Sequence, residues 1–142
     1  MSDELSDSPV GWVSEHIQRY VDTDGEEGHI WNGVPTLLLA TRGRKSGALR
    51  RTALIYGTDG DRYVLVASQG GAPRHPSWYL NLAADPQVEV QVKGDKFTAR
   101  ARTASGEERV KLWETMAGIW PAYNEYTQRT DREIPVVVLE RG

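Results

Sequence analysis

The chain of 142 residues contains no cysteine, and it has only three histidines. Without cysteine there can be no disulfide, thiolate metal site or cysteine nucleophile, and three scattered histidines do not favour a zinc site. No apolar run is longer than residues 34–40, whereas a membrane-spanning helix needs roughly 20 residues. The N-terminus lacks the basic and apolar regions of a signal peptide. We therefore expect a cytoplasmic protein whose chemistry uses neither thiols nor zinc.

A net positive charge is missing as well, because 17 basic residues face 20 acidic ones and the formal net charge is −3. This argues against a general nucleic-acid binder, which needs a positive field to displace counterions from phosphates. Residues 42–51 depart from this acidity, and we call them the basic loop. Its cations are Arg42, Arg44, Lys45, Arg50 and Arg51. With Ser46 and two glycines they could bind phosphate or carboxylate oxygens, although a solvated basic hairpin is an equally simple interpretation.

Short strands joined by turn residues dominate the pattern. The predicted strands are residues 34–42, 49–56, 62–68, 88–93, 97–103 and 134–139. Asp59-Gly60 and Gly94-Asp95 are typical hairpin turns, and we expect the first three strands to form a meander. The pattern predicts a single mainly β domain with flanking helices (α+β), whose mostly antiparallel sheet is closed or partly closed into a barrel. The glycine-rich sequences of Rossmann folds and P-loops are absent.

Three helices are predicted around this sheet. The first begins at Pro9 with Ser8 as its N-cap, the second covers residues 77–84, and the third begins at a Ser105–Glu108 capping box. The first carries the apolar stripe Val10, Val13, Ile17 and Val21. The third is expected to bury Val110, Trp113, Met116, Ala117 and Trp120. The first stripe either packs on the barrel, which is the commoner outcome, or rests on a membrane surface or a partner.

Residues 66–81 place a strand end, a glycine-rich bend and a helix start in succession. Such a junction presents backbone donors to a ligand. In the simpler interpretation Trp78 and Tyr79 are core residues, Asn81 helps to end the helix, and His75 is a local cap.

Tyr123 and Tyr126 lie three residues apart after the end of the third helix. Aromatic rings with hydroxyl tips suit a pocket for a flat organic molecule, but they also commonly plug the mouth of a barrel. The two tyrosines alone do not decide between these possibilities.

Taken together, residues 41–47, 66–68, 75–82 and 130–138 resemble the deazaflavin-dependent nitroreductase family. The similarity runs in order from about Gly33 to the C-terminus. It implies a split β-barrel like that of FMN-binding oxidoreductases, with coenzyme F-420, an 8-hydroxy-5-deazaflavin, in place of the flavin, and often a homodimer. It also implies an actinobacterial-type oxidoreductase that passes a hydride from reduced F-420 to a quinone, an enone or a nitroaromatic acceptor.

The same resemblance implies which residues hold the cofactor. Its phosphodiester and oligoglutamate tail are anionic, so they are expected to contact Arg44, Lys45, Ser46, Arg50 and Arg51. The ring and ribityl chain are expected to contact Thr52, Ala53, Leu54, Ile55, Val66, Ala67, Ser68, Gln69, Ser77, Trp78, Tyr79, Leu80, Asn81 and Tyr123. Two departures from the family pattern concern the substrate side. Gln69 stands where relatives often have lysine, and Ile55 and Trp120 stand where the nitroimidazole-reducing member has tyrosines.

For catalysis we expect Tyr123 and Tyr126 to position the acceptor and donate a proton, with Ser68 hydrogen-bonded near the reacting edge. Water could serve as the proton donor instead. The alternatives are an FMN-dependent reductase or oxidase on the same barrel, a non-catalytic F-420 carrier, and a nucleic-acid-binding barrel that uses the basic loop.

Overall fold

The computed structural model describes residues 5–7, 11–31, 33–45, 47–68, 74–130 and 132–141. The strands in these ranges are β1 (Leu5–Asp7), β2 (Ile30–Trp31), β3 (Val34–Arg42), β4 (Leu49–Ile55), β5 (Gly57–Asp59), β6 (Arg62–Val66), β7 (Gln87–Val92), β8 (Asp95–Thr103) and β9 (Val136–Arg141). The helices are α1 (Gly11–Asp22), α2 (Ser77–Ala84), α3 (Gly106–Ile119) and α4 (Ala122–Tyr126). Several predictions concern residues outside these ranges, namely Ser46, Gln69, the helix start at Ser8–Val10 and the bend at residues 70–73.

The strands form one sheet in the order β1-β4-β3-β7-β8-β9-β6-β5, with β2 paired to β3 beside this path. Among the described pairs only β1 and β4 run parallel. Tyr56 alone separates β4 from β5, yet these two strands lie near opposite ends of the order. The sheet therefore curls until its ends approach each other, which confirms the predicted split β-barrel with flanking helices.

The predicted meander of the first three strands is wrong in one respect. Strand β4 pairs with β3, and β5 pairs with β6, but no described hydrogen-bonded pairing joins β4 to β6. The expected strand 49–56 ends at Ile55, and the buried Tyr56 marks the passage from one end of the sheet to the other. The split in the barrel therefore lies between β4 and β6.

Both faces of the sheet are covered, and the alternation of side chains along each strand decides which face a residue joins. One set points into the barrel and forms the barrel cluster, which includes Leu37, Leu39, Leu65, Val137 and Leu139. The residues between them point outward. Beneath α3 and α4 they form the outer cluster, which includes Val64, Val66, Val136 and Val138. This double burial explains why β6 and β9 are apolar without an alternating pattern.

Helix α1 packs on the outside of the sheet against Leu38. Ile17 and Tyr20 are fully buried there. The Tyr20 hydroxyl donates to the Thr36 carbonyl (3.1 Å) and accepts from the Lys93 backbone N–H (2.7 Å), and burial raises its pKa to about 12. The described part of the apolar stripe therefore packs on the barrel. No helix within the described ranges is long and apolar enough to cross a membrane.

Two predictions for α3 are wrong. Val110 is 58% exposed, and Leu112, which was not predicted, is buried together with the predicted Met116. The Ser105 side chain makes no capping hydrogen bond. Glu108 does not reach back to the helix start, because it is held by the Arg102 guanidinium at 2.5 and 2.8 Å. Glu108 thus forms an ion pair with Arg102 of β8 and does not cap α3.

Candidate functional site

The basic loop connects β3 to β4 through a tight, hydrogen-bonded turn. The Gly43 N–H donates to the Ala48 carbonyl (2.7 Å), and the Gly47 N–H donates to the Gly43 carbonyl (2.8 Å). Gly47 has a φ of +72°, a conformation that favours glycine. Arg44 and Lys45 are exposed at the tip of this turn. The backbone thus presents two cationic side chains outward from a defined position.

Asn81 connects this loop to helix α2. Its side-chain oxygen accepts from the Arg44 backbone N–H (3.2 Å) and from the Arg44 guanidinium (2.8 Å). Its amide nitrogen donates to the Thr41 hydroxyl (3.2 Å). Asn81 is 5% exposed and lies within α2, so it does not serve to end the helix. The fold therefore joins two predicted blocks that are 37 residues apart.

Three cations of the loop lack a carboxylate partner among the described residues. Within the described residues, Arg44, Lys45 and Arg50 have no carboxylate in ion-pair range, and all three are exposed. Close positive charges repel one another, and an anion placed among them would relieve that repulsion. A ligand with phosphate or carboxylate groups therefore fits the donor set of this loop.

The alternation along β4 separates residues that were predicted to line one pocket. Leu54 packs against the barrel cluster, as do Trp78 and Tyr79 of α2. Ala53 points to the other face and packs beside α1, while Ile55 packs against the outer cluster. Residues 52–55 therefore cannot all touch one flat ring through their side chains. The structure brings Leu54, Trp78 and Tyr79 together, and it places Ile55 with the tyrosines of α4.

The remaining predicted contacts of α2 differ in exposure. Ser77 is exposed at the first turn, whereas Leu80 is half-buried. Thr52 on β4 is half-buried as well. Of these three side chains, only Ser77 is openly accessible from solvent.

Ser68 and Ala67 are buried at the end of β6, where Arg132 holds their main chain. The Arg132 guanidinium donates to the Ala67 carbonyl (3.2 Å) and to the Ser68 carbonyl (2.7 Å). It also lies 3.0 Å from His75 Nδ1. A guanidinium has no acceptor, so this nitrogen accepts the bond and the imidazole proton resides on Nε2. Burial, together with the nearby Arg132 charge, lowers the pKa of His75.

Sequence reasoning gave no role to Arg132. The only signal was its place in the stretch 130–138 that carries the family resemblance. Its contacts join residues more than 50 positions apart, and no local spacing rule predicts such pairs.

Tyr123 lies in the outer cluster and is 5% exposed. Its ring centre is 6.2 Å from that of Trp113 and 6.1 Å from that of Tyr126. Burial raises the pKa of Tyr123 well above its ordinary value, with a smaller contribution from Tyr126. Tyr123 therefore keeps its proton at neutral pH and can act as a donor but not as a base. The segment after α3 that carries both tyrosines is helix α4.

Tyr126 is more accessible, being half-buried at the end of α4. Its hydroxyl oxygen accepts from the Trp120 indole N–H (3.3 Å), so its own proton remains available. Trp120 also packs against Trp31 of β2, with ring centres 5.5 Å apart. Sequence analysis missed Trp31, which extends this aromatic surface. Within the described residues, neither Tyr123 nor Tyr126 hydrogen-bonds to Ser68.

A surface depression of about 590 Å³ lies elsewhere, along the β5–β6 hairpin and the end of β9. Its walls carry both acidic and basic groups and include no predicted site residue. This mixed charge suits an extended anionic tail less well than the basic loop does. Among the described residues, no three His, Asp or Glu side chains are grouped to hold a metal ion.

Comparison with known proteins gives a consistent picture. The model of the F420H(2)-dependent quinone reductase family matches residues 12–141. An F420H(2)-dependent quinone reductase of Mycobacterium tuberculosis is 43% identical over 130 residues, which cover 89% of this chain and 87% of the relative. A solved F420-H2 dependent reductase has 42% identity and a TM-score of 0.70, covering 75% of this chain and 94% of its own. A further structure, described as a domain-swapped dimer, has 39% identity and a TM-score of 0.72, covering 94% of this chain and all of its own.

Proposed function

Because the chain belongs to the F420H(2)-dependent quinone reductase family, we propose that it catalyses hydride transfer from reduced coenzyme F-420 to a quinone. Family membership confirms the expected cofactor and the expected enzyme class, an oxidoreductase. One observation on this chain supports the proposal most directly. The cations Arg44, Lys45 and Arg50 lack carboxylate partners in the described structure.

The cofactor's anionic groups fit the basic loop. We infer that Arg44 and Lys45 bind the oligoglutamate tail, with Arg50 and Arg51 on β4 nearer the phosphodiester. Asn81 holds the loop against α2, so the tail and the ring are aligned by one rigid unit. When bound and reduced, F-420 supplies the hydride.

The ring would lie where the ends of β4 and β6 meet the start of α2. Leu54, Trp78 and Tyr79 supply apolar and aromatic surface from one side. Ser68 contributes main-chain and hydroxyl groups at the buried end of β6. This arrangement uses Leu54, Ser68, Trp78 and Tyr79 among the predicted ring contacts, and it does not require all of residues 52–55 on one face.

Hydride transfer gives the quinone two electrons and one hydrogen, so a single added proton completes the hydroquinone. Tyr126 suits this role, because its oxygen already accepts from Trp120 and its proton is free to be donated. Tyr123 is more deeply buried and would border the ring. The aromatic surface of Trp31, Trp120 and Tyr126 would receive the flat acceptor.

Replacing Tyr126 by phenylalanine tests this assignment by removing the hydroxyl alone. We expect kcat/KM for a quinone to fall about tenfold to a hundredfold, the scale of one lost polar contact, while the Kd for F-420 barely changes. Tyr20→Phe serves as the control, because Tyr20 lies in the α1 contact. Full activity of both Tyr123→Phe and Tyr126→Phe would show that water or another group donates the proton.

Titration of the protein with F-420, followed by an acceptor screen on the reduced complex, tests the function itself. We expect saturable binding and oxidation of reduced F-420 by quinones, with enones and nitroaromatics as weaker acceptors. Binding without turnover would favour an F-420 carrier. Tighter binding of FMN than of F-420, with FMN-dependent turnover, would favour the flavin enzyme.

A homodimer follows as a further proposal from the similar chain that forms a domain-swapped dimer. Light scattering during size-exclusion chromatography distinguishes this dimer from a monomer. Peripheral membrane contact through α1 is a separate prediction, and the described side chains give it no support because Ile17 and Tyr20 are buried. Co-sedimentation with anionic vesicles tests it.

A further inference from the structure

We propose that Arg132 is a positioning residue for hydride transfer. Its guanidinium fixes the position of the Ser68 main chain and connects that main chain to the start of α2. This inference rests on the proposed function. Arg132 itself is not placed on the reacting atoms, and it acts through the segments that it holds.

The geometry shows why a side chain is needed at this point. Strands β6 and β9 are paired as far as Val66 and Val136, and the Ala67 N–H still donates to the Pro135 carbonyl (2.9 Å). In an antiparallel ladder the partner would return this bond, but proline has no N–H. The Ala67 carbonyl would then be buried without a donor, which is costly. The Arg132 guanidinium supplies that donor at 3.2 Å.

The same guanidinium continues beyond the end of the ladder. It donates to the Ser68 carbonyl at 2.7 Å and to His75 Nδ1 at 3.0 Å. A planar group with donors in fixed directions can satisfy all three acceptors, whereas a lysine ammonium on its flexible stem cannot do so in the same geometry. Arg132 therefore ties together the end of β6, the residue that precedes Pro76 at the start of α2, and the segment leading into β9.

These contacts concern the ring side of the proposed site and not the tail side. The tail side is organised by Asn81, Arg44 and Thr41, and none of their described hydrogen bonds involves Arg132. A small displacement of a group beside the reacting centre can lower the rate strongly while binding changes little. Loss of the Arg132 contacts should therefore reduce kcat and leave the affinity for F-420 nearly intact.

The test compares Arg132→Lys with Arg109→Lys. Arg109 is a matched control, since its guanidinium donates to the Ile134 carbonyl (2.7 Å) in the same segment but from the side of α3. We expect both variants to lose some thermal stability. Only Arg132→Lys should lower kcat, by at least about tenfold per folded molecule, with the Kd for F-420 within about twofold of the wild type. The absorbance spectrum of bound F-420 should shift in that variant alone.

A second variant keeps the test decisive if Arg132→Lys folds poorly. Adding Pro135→Ala restores a backbone N–H opposite the Ala67 carbonyl, so the double variant should regain stability. It should not regain kcat, because the Ser68 carbonyl and His75 still lack their shared donor. An unchanged kcat in folded Arg132→Lys, or full recovery of kcat with Pro135→Ala, would overturn the positioning role. An inactive wild-type protein would instead refute the proposed function on which it rests.

Discussion

Two arginine-rich regions of this molecule use the same side chain in opposite ways. In the basic loop, Arg44, Lys45 and Arg50 have no carboxylate in ion-pair range among the described residues. Where β6 and β8 pass α3, by contrast, Arg62 and Arg102 are surrounded by carboxylates. These belong to Asp59, Glu108 and Glu140, and we call the five residues the arginine network.

The difference separates positive charge that we propose to bind the cofactor from positive charge used within the fold. Arg102 holds Glu108 through two hydrogen bonds, and this contact lowers the pKa of the Glu108 carboxyl and raises that of the guanidinium. The basic loop has a neutral amide, Asn81, at the corresponding place. An amide orients a guanidinium without cancelling its charge, so the loop remains attractive to a foreign anion.

The largest effect is expected from Arg44→Ala combined with Lys45→Ala. Each charge-assisted contact contributes about 1.5–3 kcal/mol before screening, so F-420 binding should weaken at least about a hundredfold at low ionic strength. Fluorescence titration at two salt concentrations measures this, and longer glutamate tails should show the larger loss. Lys96→Ala with Arg100→Ala on β8 removes the same charge elsewhere and should have little effect. Unchanged affinity of the loop variant would refute the tail assignment.

A smaller effect is expected from Asn81→Asp, which gives Arg44 the carboxylate partner that the network arginines have. The Arg44 guanidinium lies 2.8 Å from the oxygen that would become charged. We expect F-420 affinity to fall about tenfold, or about 1.4 kcal/mol, and its dependence on salt to become weaker. Asn124→Asp makes the same change beside Trp113 and serves as the control. Binding as tight as that of the wild type would mean that the Arg44 charge does not act on the cofactor.

The smallest effect is expected from Glu108→Gln, which should reduce stability and leave F-420 affinity unchanged. A partly exposed ion pair contributes up to about 1 kcal/mol, which corresponds to a Tm lower by roughly 3–5 °C. Glu107→Gln on the exposed side of α3 is the matched control. A substantial loss of cofactor affinity in Glu108→Gln would erase the distinction between the two regions.

The pH dependence of this variant has a definite sign. The folded-state pKa of Glu108 lies below its ordinary value of 4.5, so the carboxylate stabilises the fold above that pH. The stabilisation is lost as the pH falls through the folded-state pKa. The Tm difference between wild type and Glu108→Gln should therefore be largest near neutral pH and shrink in acid. Thermal unfolding monitored by circular dichroism across this range measures the difference.

The sequence predicted those elements whose local signals agreed with their packing. Helix α2 begins and ends at the predicted residues 77 and 84, since prolines stand on both sides of it. The β7–β8 hairpin also formed as expected, although the residue with positive φ at its turn is Lys93. The face of α3 was misjudged, because Val110 and Leu112 are both apolar and only the position of the sheet decides which is buried.

The sequence predicted which residues belong to the candidate site, but it did not predict how they contact one another. The basic loop and α2 could be named from local residues and from family resemblance, and the loop's contact with Asn81 required the fold. Arg132 was missed for a related reason, since its role depends on the carbonyls of Ala67 and Ser68, which lie more than 60 positions away in the chain. The roles of Tyr123, Tyr126 and Ser68 in turnover stay predictions.

The single residue between β4 and β5 has a consequence for the order in which the chain acquires structure. Strands β3, β4, β7 and β8 can pair with one another early, and so can β5 with β6. Among the described pairings only β9 joins these two groups, through β8 and β6. A chain emerging from a ribosome would hold two unfinished half-sheets until β9 became free, and their exposed edges would be open to mispairing. We expect pulse-labelled hydrogen exchange to protect the β7–β8 amides before those of β6 and β9. Equal or earlier protection of β6 and β9 would contradict this order.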